Sequence, residues 1–400
     1  MKKKCSICNQ KFIDKLSLGN HPCADTFLKR KLDAQKLKKF PLVVGFCKCS
    51  HMSSIYPVPN YNRYEKYDYS YTSDNSPVSR LHFKKIAKKI SKNFNINTKS
   101  FVIEAGSNDG TFLSEIKKIT KARVLGIDPS KNISLLAKKK NIETFVDYFS
   151  KKSSKKILKK YGKSDVIYGA NVFNHVDDNL DFLEGVKVLL SEKGILILEV
   201  PDLKSLIEKV GFDTIYHEHR HYYSEKSIDK ILSKKGLKIF KIEKINYMAG
   251  SLRVFACKKE FPLNKKKIFS KIKISEFKNF KKKISKVILE LKRFVDNQKK
   301  SNRTIYGIGA ATKGNTLLNY CNFTDKDISL ILDNSKHKIN KFTPSSAIKI
   351  IKEKKNLIID AAIILPWNIS NHLIKKLFNK RKIRYTSIAK IIKSIKWRKI

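Results

Sequence analysis

The chain has 400 residues, 41% of them hydrophobic and 10% aromatic, which exceeds the usual size of one domain and excludes a generally disordered chain. Its formal net charge is +51, from 86 Lys plus Arg against 35 Asp plus Glu. Only 11 of those basic residues are Arg, and the lysines are spread along the whole chain, whereas a nucleic-acid face needs clustered Arg and Lys with interleaved aromatics. No specific nucleic-acid partner is expected, although a basic surface still draws in an anionic substrate. The Met1-Lys-Lys-Lys-Cys5 start lacks the apolar core of a signal peptide, and no apolar run is long enough to span a bilayer. A cytoplasmic protein without a membrane partner is expected.

Residues 1–58 form a short, cysteine-rich module. Five of the seven cysteines fall here, which points to a local metal site rather than a disulfide framework. Cys5-Ser-Ile-Cys8 is a knuckle suited to Zn²⁺. Residues 59–98 are a lead-in carrying Tyr61, Tyr64, Tyr67, Tyr69 and Tyr71, followed by a helix over about 78–94. From 100 to 256 short apolar runs alternate with helical stretches. Phe101–Ala105, Val124–Asp128, Asp165–Ala170 and Gly194–Val200 are strands, and 110–120 and 131–140 are helices. This alternation predicts an α/β, doubly wound, mostly parallel sheet, within a domain over 59–262. Residues 263–302 read as a connecting helix, with Ile284, Val287, Ile288, Leu291 and Val295 on one face. A second α/β unit occupies 303–400, opening at Thr304-Ile-Tyr-Gly-Ile-Gly309.

The first unit runs from its strand into Gly106-Ser-Asn-Asp-Gly110 and then a helix. Glycines let the backbone turn sharply and approach a ligand, and the helix N-terminus presents free N–H groups to it. Asp128, about twenty residues on at the end of the second strand, is placed to accept from the ribose hydroxyls of an adenosine cofactor. The spacing is G-x-x-x-G, preceded by Glu104 and without the third glycine of a dinucleotide loop, which suits S-adenosylmethionine (SAM) rather than NAD. The expected cofactor-binding residues are Glu104, Gly106, Asn108, Asp109, Gly110 and Asp128. Asp147 is placed to approach the adenine, and Asn171 to open the loop over the methyl group.

Several motifs together carry a more specific resemblance. They are Gly106-Ser-Asn-Asp-Gly-Thr111, Asn171-Val-Phe-Asn-His-Val-Asp-Asp178, Glu199-Val-Pro201, Phe212-Asp-Thr-Ile-Tyr-His-Glu-His219, Gly250-Ser-Leu-Arg253 and Lys313-Gly-Asn-Thr-Leu-Leu-Asn-Tyr320. With them the chain resembles the nucleotide-sugar C-methyltransferases, which methylate C3 of dTDP-linked 4-keto-deoxysugars. The resemblance implies a class I methyltransferase domain between an N-terminal zinc module and a C-terminal Rossmann-like domain. It also implies SAM as methyl donor and a nucleotide-sugar substrate, and a monomer is compatible with it.

Methylating a sugar carbon beside a ketone needs a base for the carbon-bound proton and donors for the developing enolate oxygen. His219 is the candidate base, since imidazole titrates near neutral pH. Glu218, Tyr216, His175 and Tyr71 complete the catalytic set that the resemblance implies. In the C-terminal unit Lys313 and Asn315 are expected to meet the substrate, and Pro366-Trp367-Asn368 to line the cleft. For zinc, the resemblance implies that Cys5 and Cys8 are completed by Cys47 and Cys49, a pair one residue shorter than in the family, with His21, Cys23 and His51 as alternative ligands. Met248 stands where the family commonly has a histidine. The competing readings are O- or N-methylation of a small molecule, and a nucleic-acid methyltransferase or binder.

Overall fold

A computed structural model describes residues 3–59, 61–74, 76–258, 269, 271–353, 357–378 and 383–395. Chain order begins with β1 (Asp14–His21), α1 (Lys31–Gln35), β2 (Phe40–Phe46) and β3 (Met52–Ser54). The central unit follows as α2 (Pro77–Asn93), β4 (Phe101–Ala105), α3 (Thr111–Thr120), β5 (Arg123–Ile127), α4 (Lys131–Lys139), β6 (Thr144–Phe145), α5 (Lys151–Tyr161), β7 (Ser164–Ala170), α6 (Asn179–Leu189), β8 (Leu190–Pro201), α7 (Leu203–Glu208), β9 (His221–Tyr222), α8 (Glu225–Ser233), β10 (Lys238–Ile245) and β11 (Ser251–Cys257). After α9 (Ile274–Lys300) come β12 (Ile305–Ile308), α10 (Thr312–Cys321), β13 (Leu330–Asp333), β14 (Ile350–Lys352), β15 (Ala361–Ile364), α11 (Ser370–Phe378), β16 (Arg384–Thr386) and α12 (Ile388–Ser394).

The central sheet has seven strands in the order β6-β5-β4-β7-β8-β11-β10. The first five are parallel, and β11 and β10 are antiparallel to their neighbours. This is the class I methyltransferase arrangement, a doubly wound α/β sheet as expected. Strand β4, all five residues buried, lies near its middle, because Phe-Val-Ile-Glu-Ala offers apolar side chains to both faces. Helices start where local chemistry starts them. The Ser76 hydroxyl accepts from the Ser79 N–H ahead of Pro77, and the Asp178 carboxylate accepts from Leu180 and Asp181 N–H. The C-terminal sheet is parallel, ordered β14-β13-β12-β15-β16.

Two features go beyond the predicted elements. The N-terminal sheet is ordered β1-β2-β3-β9, so its fourth strand comes from residues 221–222 of the central unit. Helix α9 is more than a connector. Its Phe277 stacks on Phe46 of β2 at 4.8 Å, and its buried stripe through Ile284, Val287, Leu291 and Val295 shares one core with Ile305, Ile331 and Ile363 of the C-terminal sheet. Of the rest of the predicted connecting segment, 263–268 and 270 lie outside the described residues. Among the described residues no helix is long and apolar enough to cross a membrane.

Candidate active site

The carboxyl ends of the parallel strands of both sheets open into one cavity of about 720 Å³, where ligands of open α/β sheets bind. Its central wall starts at the glycine loop. Gly106 has φ 67°, and a Cβ there would lie 2.8 Å from Val172, so only glycine lets the loop close over the end of β7. The Asn108 N–H donates to Asp128 Oδ2 at 2.9 Å and the Ser130 N–H to Asp128 Oδ1 at 2.9 Å, which fixes the carboxylate at the end of β5. Burial pushes the Asp128 carboxyl above its ordinary range.

The lead-in is strapped over this loop. Asn108 accepts from Ser73 N–H at 2.8 Å and donates to the Tyr71 carbonyl at 3.1 Å, and Asp109 Oδ2 accepts from Asp74 N–H at 3.1 Å. Gly106, Asn108, Asp128 and Asn171 line the cavity, whereas Glu104, Asp109, Gly110 and Asp147 do not. Asp109 is instead a clamp, also accepting from the Thr111 hydroxyl and pairing with Lys140. Gly110, at φ 71°, heads α3. Asp147 is half-buried and accepts from the N–H of Tyr148, and it is Tyr148 and Phe149 that face the cavity. Glu104 lies buried on β4. Its Oε2 has no hydrogen-bond partner in the protein, and burial holds its carboxyl well above the usual range.

The Tyr216–His221 run sends its three histidines three ways. The His217 ring contacts the His21 carbonyl at 3.0 Å and packs on Phe40, and His221 Nδ1 meets His51 Nε2 at 3.3 Å. Only His219 faces the cavity. Its Nδ1 lies 2.8 Å from the Thr214 carbonyl, which can only accept, so Nδ1 carries the proton and Nε2 the lone pair. The Tyr216 hydroxyl donates to that Nε2 at 2.7 Å. Burial pushes His219 down to about 4, so the ring is neutral at physiological pH.

His175 packs edge-on against His219 at 4.8 Å and hydrogen-bonds Tyr64 at 2.8 Å. Glu218 accepts from Asp25 N–H at 3.0 Å and Ala24 N–H at 3.3 Å, and burial raises its carboxyl to about 7. The fold thus gathers Tyr216, Glu218, His219 and His175. Tyr71 lines the same cavity, but its hydroxyl meets Tyr247 and Ser79 rather than the histidines. Met248 and Ala249 sit nearby with φ of 50° and 73°, values that side chains seldom adopt. Sequence reasoning passed over Asp25, Tyr64, Tyr69 and Tyr247, all lining the cavity. For Tyr64 and Tyr69 the tyrosine run was the signal. Asp25, which accepts from Ser70 and from the Thr312 hydroxyl, stands in no motif.

Across the cavity lies the Gly309 loop. Lys313 Nζ donates to Asn368 at 2.6 Å and stands 4.3 Å over the Trp367 ring, whose Nε1 donates to buried Asp213 at 2.8 Å. Desolvation lowers the Lys313 ammonium. Asn315 turns away from the cavity. It is buried and donates to the Ala24 carbonyl at 2.7 Å, tying α10 to the N-terminal module.

The Sγ atoms of Cys5, Cys8, Cys47 and Cys49 lie within 4.8 Å of one another. Thiolates about 2.3 Å from a tetrahedral zinc stand roughly 3.8 Å apart, so this set fits the ion despite the shortened pair. His51 contacts Cys5 Sγ through Nδ1 at 3.3 Å, beside the four thiols. His21 Nε2 is taken by the Leu18 carbonyl, and Cys23 lies in the field of Glu218 and Arg63.

Residues 79–242 match the model of a methyltransferase domain, and residues 247–389 that of the C-methyltransferase C-terminal domain. The chain is a SAM-dependent methyltransferase. Over 385 residues, 93% of this chain and 91% of the relative, it is 26% identical to the C-methyltransferase NovU of Streptomyces niveus. Among solved structures, the magnesium protoporphyrin IX methyltransferase of Synechocystis PCC 6803 with bound SAM covers 45% of the methyltransferase at 16% identity and a TM-score of 0.35, using 79% of its own chain. A possible histamine N-methyltransferase of Thermotoga maritima covers 45% at 16% identity and a TM-score of 0.34, using 89% of its own chain.

Proposed function

We propose that this methyltransferase methylates a carbon beside the ketone of a nucleotide-linked keto-deoxysugar, through an enolate. One observation supports this above the rest: a neutral, oriented His219 with its Nε2 on the Tyr216 hydroxyl, in a cavity walled by both the Gly106 and the Gly309 loops. SAM, when bound, supplies an electrophilic methyl group. Gly106, Asn108, Asn171 and Asp128 would hold it, with Asp128 receiving the ribose hydroxyls.

His219 Nε2 takes the proton from the sugar carbon through the Tyr216 hydroxyl, which hands its own proton to Nε2 as it receives the carbon's. The C–H electron pair moves into the ketone, whose oxygen becomes an oxyanion. The His175 ring and the Tyr216 hydroxyl, both on the cavity wall, would hydrogen-bond that oxygen. The nucleophilic carbon then takes the methyl group, and the ketone re-forms. Lys313 on the opposite wall offers a cation to the nucleotide phosphates. The four thiolates are read as a structural zinc site that folds the N-terminal module, too small to build a core alone.

The test is hydrogen exchange. Incubated in D₂O without SAM, the protein should wash deuterium into C3 of a 4-keto-sugar nucleotide. Methylation of a hydroxyl or amine, with no exchange into any keto-sugar nucleotide offered, would overturn the reading. So would tight retention of RNA or DNA at physiological salt.

A further inference from the structure

One buried side chain joins the thiol cluster to the cavity. His51 lies directly before β3, is fully buried, and engages both of its ring nitrogens. Nδ1 stands 3.3 Å from Cys5 Sγ, and Nε2 stands 3.3 Å from His221 Nδ1. The ring also stacks on those of His221 and Tyr223, with centroids 5.3 Å and 5.4 Å away. His221 opens β9, where it pairs with Ser53 of β3, and it follows His219 by two residues. The N–H groups of Arg220 and His221 both donate to the Asn174 carbonyl, at 2.7 Å and 3.0 Å, and the residue after Asn174 is His175. A line from the thiols through His51 and His221 therefore ends on the two backbone stretches that carry the cavity histidines His219 and His175.

The direction of each hydrogen bond on this line follows from the donors available. A structural zinc site takes four protein ligands, and the four mutually adjacent Sγ atoms supply them without His51. A zinc-bound thiolate has lone pairs and no hydrogen, so across the contact with Cys5 it is His51 Nδ1 that carries the hydrogen. In the neutral ring Nε2 is then the acceptor, and His221 Nδ1–H the donor. Cys5 is itself buried, so this N–H supplies the hydrogen bond that water gives an exposed thiolate. Partners of this kind, one bond out from the metal, fix the ligands and tune the affinity.

We propose that His51 is a positioning residue: it donates to the Cys5 thiolate of the metal-loaded cluster without binding the metal, and through His221 it couples that metal to the strand behind the candidate base. The proposal rests on reading the four thiols as a zinc site. It goes beyond that reading, which gives the metal only the folding of the N-terminal module.

The experiment uses the full-length protein loaded with zinc and labelled with ¹⁵N-histidine. Long-range ¹H–¹⁵N spectra should show His51 and His221 as neutral rings protonated at Nδ1. A His51 ring whose Nδ1 is bound to the metal, or either ring protonated at Nε2, overturns the proposal and leaves the zinc reading standing. Absence of bound zinc overturns both. His51→Phe keeps the ring stack and removes both nitrogens. It should lower zinc affinity about 10–100-fold in competition with a chromogenic chelator and move the His221 signals away from their wild-type positions. Wild-type zinc affinity in the variant, or His221 signals that do not move, overturns the proposal. The wild-type spectrum needs no variant, so a misfolded His51→Phe does not rescue the idea.

Discussion

The central and C-terminal units have the same five-strand order but end their first loops differently. After Gly106 the chain runs through Ser-Asn-Asp to a second glycine before α3 begins at Thr111. After Gly309 it enters α10 at Thr312, with Lys313 in the first turn. The longer loop carries no basic side chain and sits beside Asp128 on the cavity wall, which suits a cation. The shorter one brings a helix N-terminus and an ammonium to the cavity, which suits an anion. Loop length and one charge, rather than topology, distinguish the two loops.

The largest effect should come where the two units meet. His219→Ala should cut turnover by about 10²–10⁴-fold and abolish solvent exchange, as expected for loss of a general base, while SAM affinity by calorimetry stays near wild type. Near-normal turnover would remove the base from His219 and leave the two loops without a shared reaction centre.

Glu218, also at that seam, gives a pH signature. Its carboxyl rises from 4.5 to about 7 on folding because of burial. The folded state therefore binds more protons than the unfolded state between those values, and stability falls as pH rises through that window. Glu218→Gln removes this term. The wild type should lose about 3 kcal/mol relative to the variant between pH 4.5 and 7 and nothing further above, measured by urea unfolding. A flat difference would mean the carboxylate is not desolvated. The buried histidines cancel in this difference because both proteins carry them.

Gly106→Ala and Gly309→Ala sharpen the comparison directly. Each puts a Cβ under 3 Å from a packed neighbour at positive φ, and each should cost about 1–3 kcal/mol in stability. The first should weaken SAM and the second the nucleotide. Equal loss of both ligands from either variant would mean the loops act as one site. The smallest effect expected is that of Lys313→Met, about 1 kcal/mol in nucleoside diphosphate affinity and none in SAM affinity, since the ammonium is partly satisfied by Asn368 and Trp367.

What the sequence made legible was local. The apolar run Phe101–Ala105, the glycines after it and Asp128 twenty residues on are short-range signals, and each element predicted from them forms within a residue or two. The histidine cluster was legible as chemistry, but which ring would face the cavity was not. That depends on His21 and His51, 196 and 170 residues away in sequence. Asp25 was invisible for the same reason, since its partners Ser70, Thr312 and Glu218 come from three other parts of the chain. Asn315 sits inside a motif yet points at Ala24, because a helix start offers one face to the ligand and the other to its neighbour.

The pairing of β3 with β9 bears on how the chain folds as it is made. The sheet carrying the thiol cluster cannot gain its last strand until residue 222 has left the ribosome, after more than half of the protein has been synthesised. Its apolar face, through Leu18, Val44 and Phe46, waits longer still for α9. A fragment ending at residue 58 should therefore not hold this sheet. Such long-range closure slows folding and leaves the nascent N-terminus in need of protection.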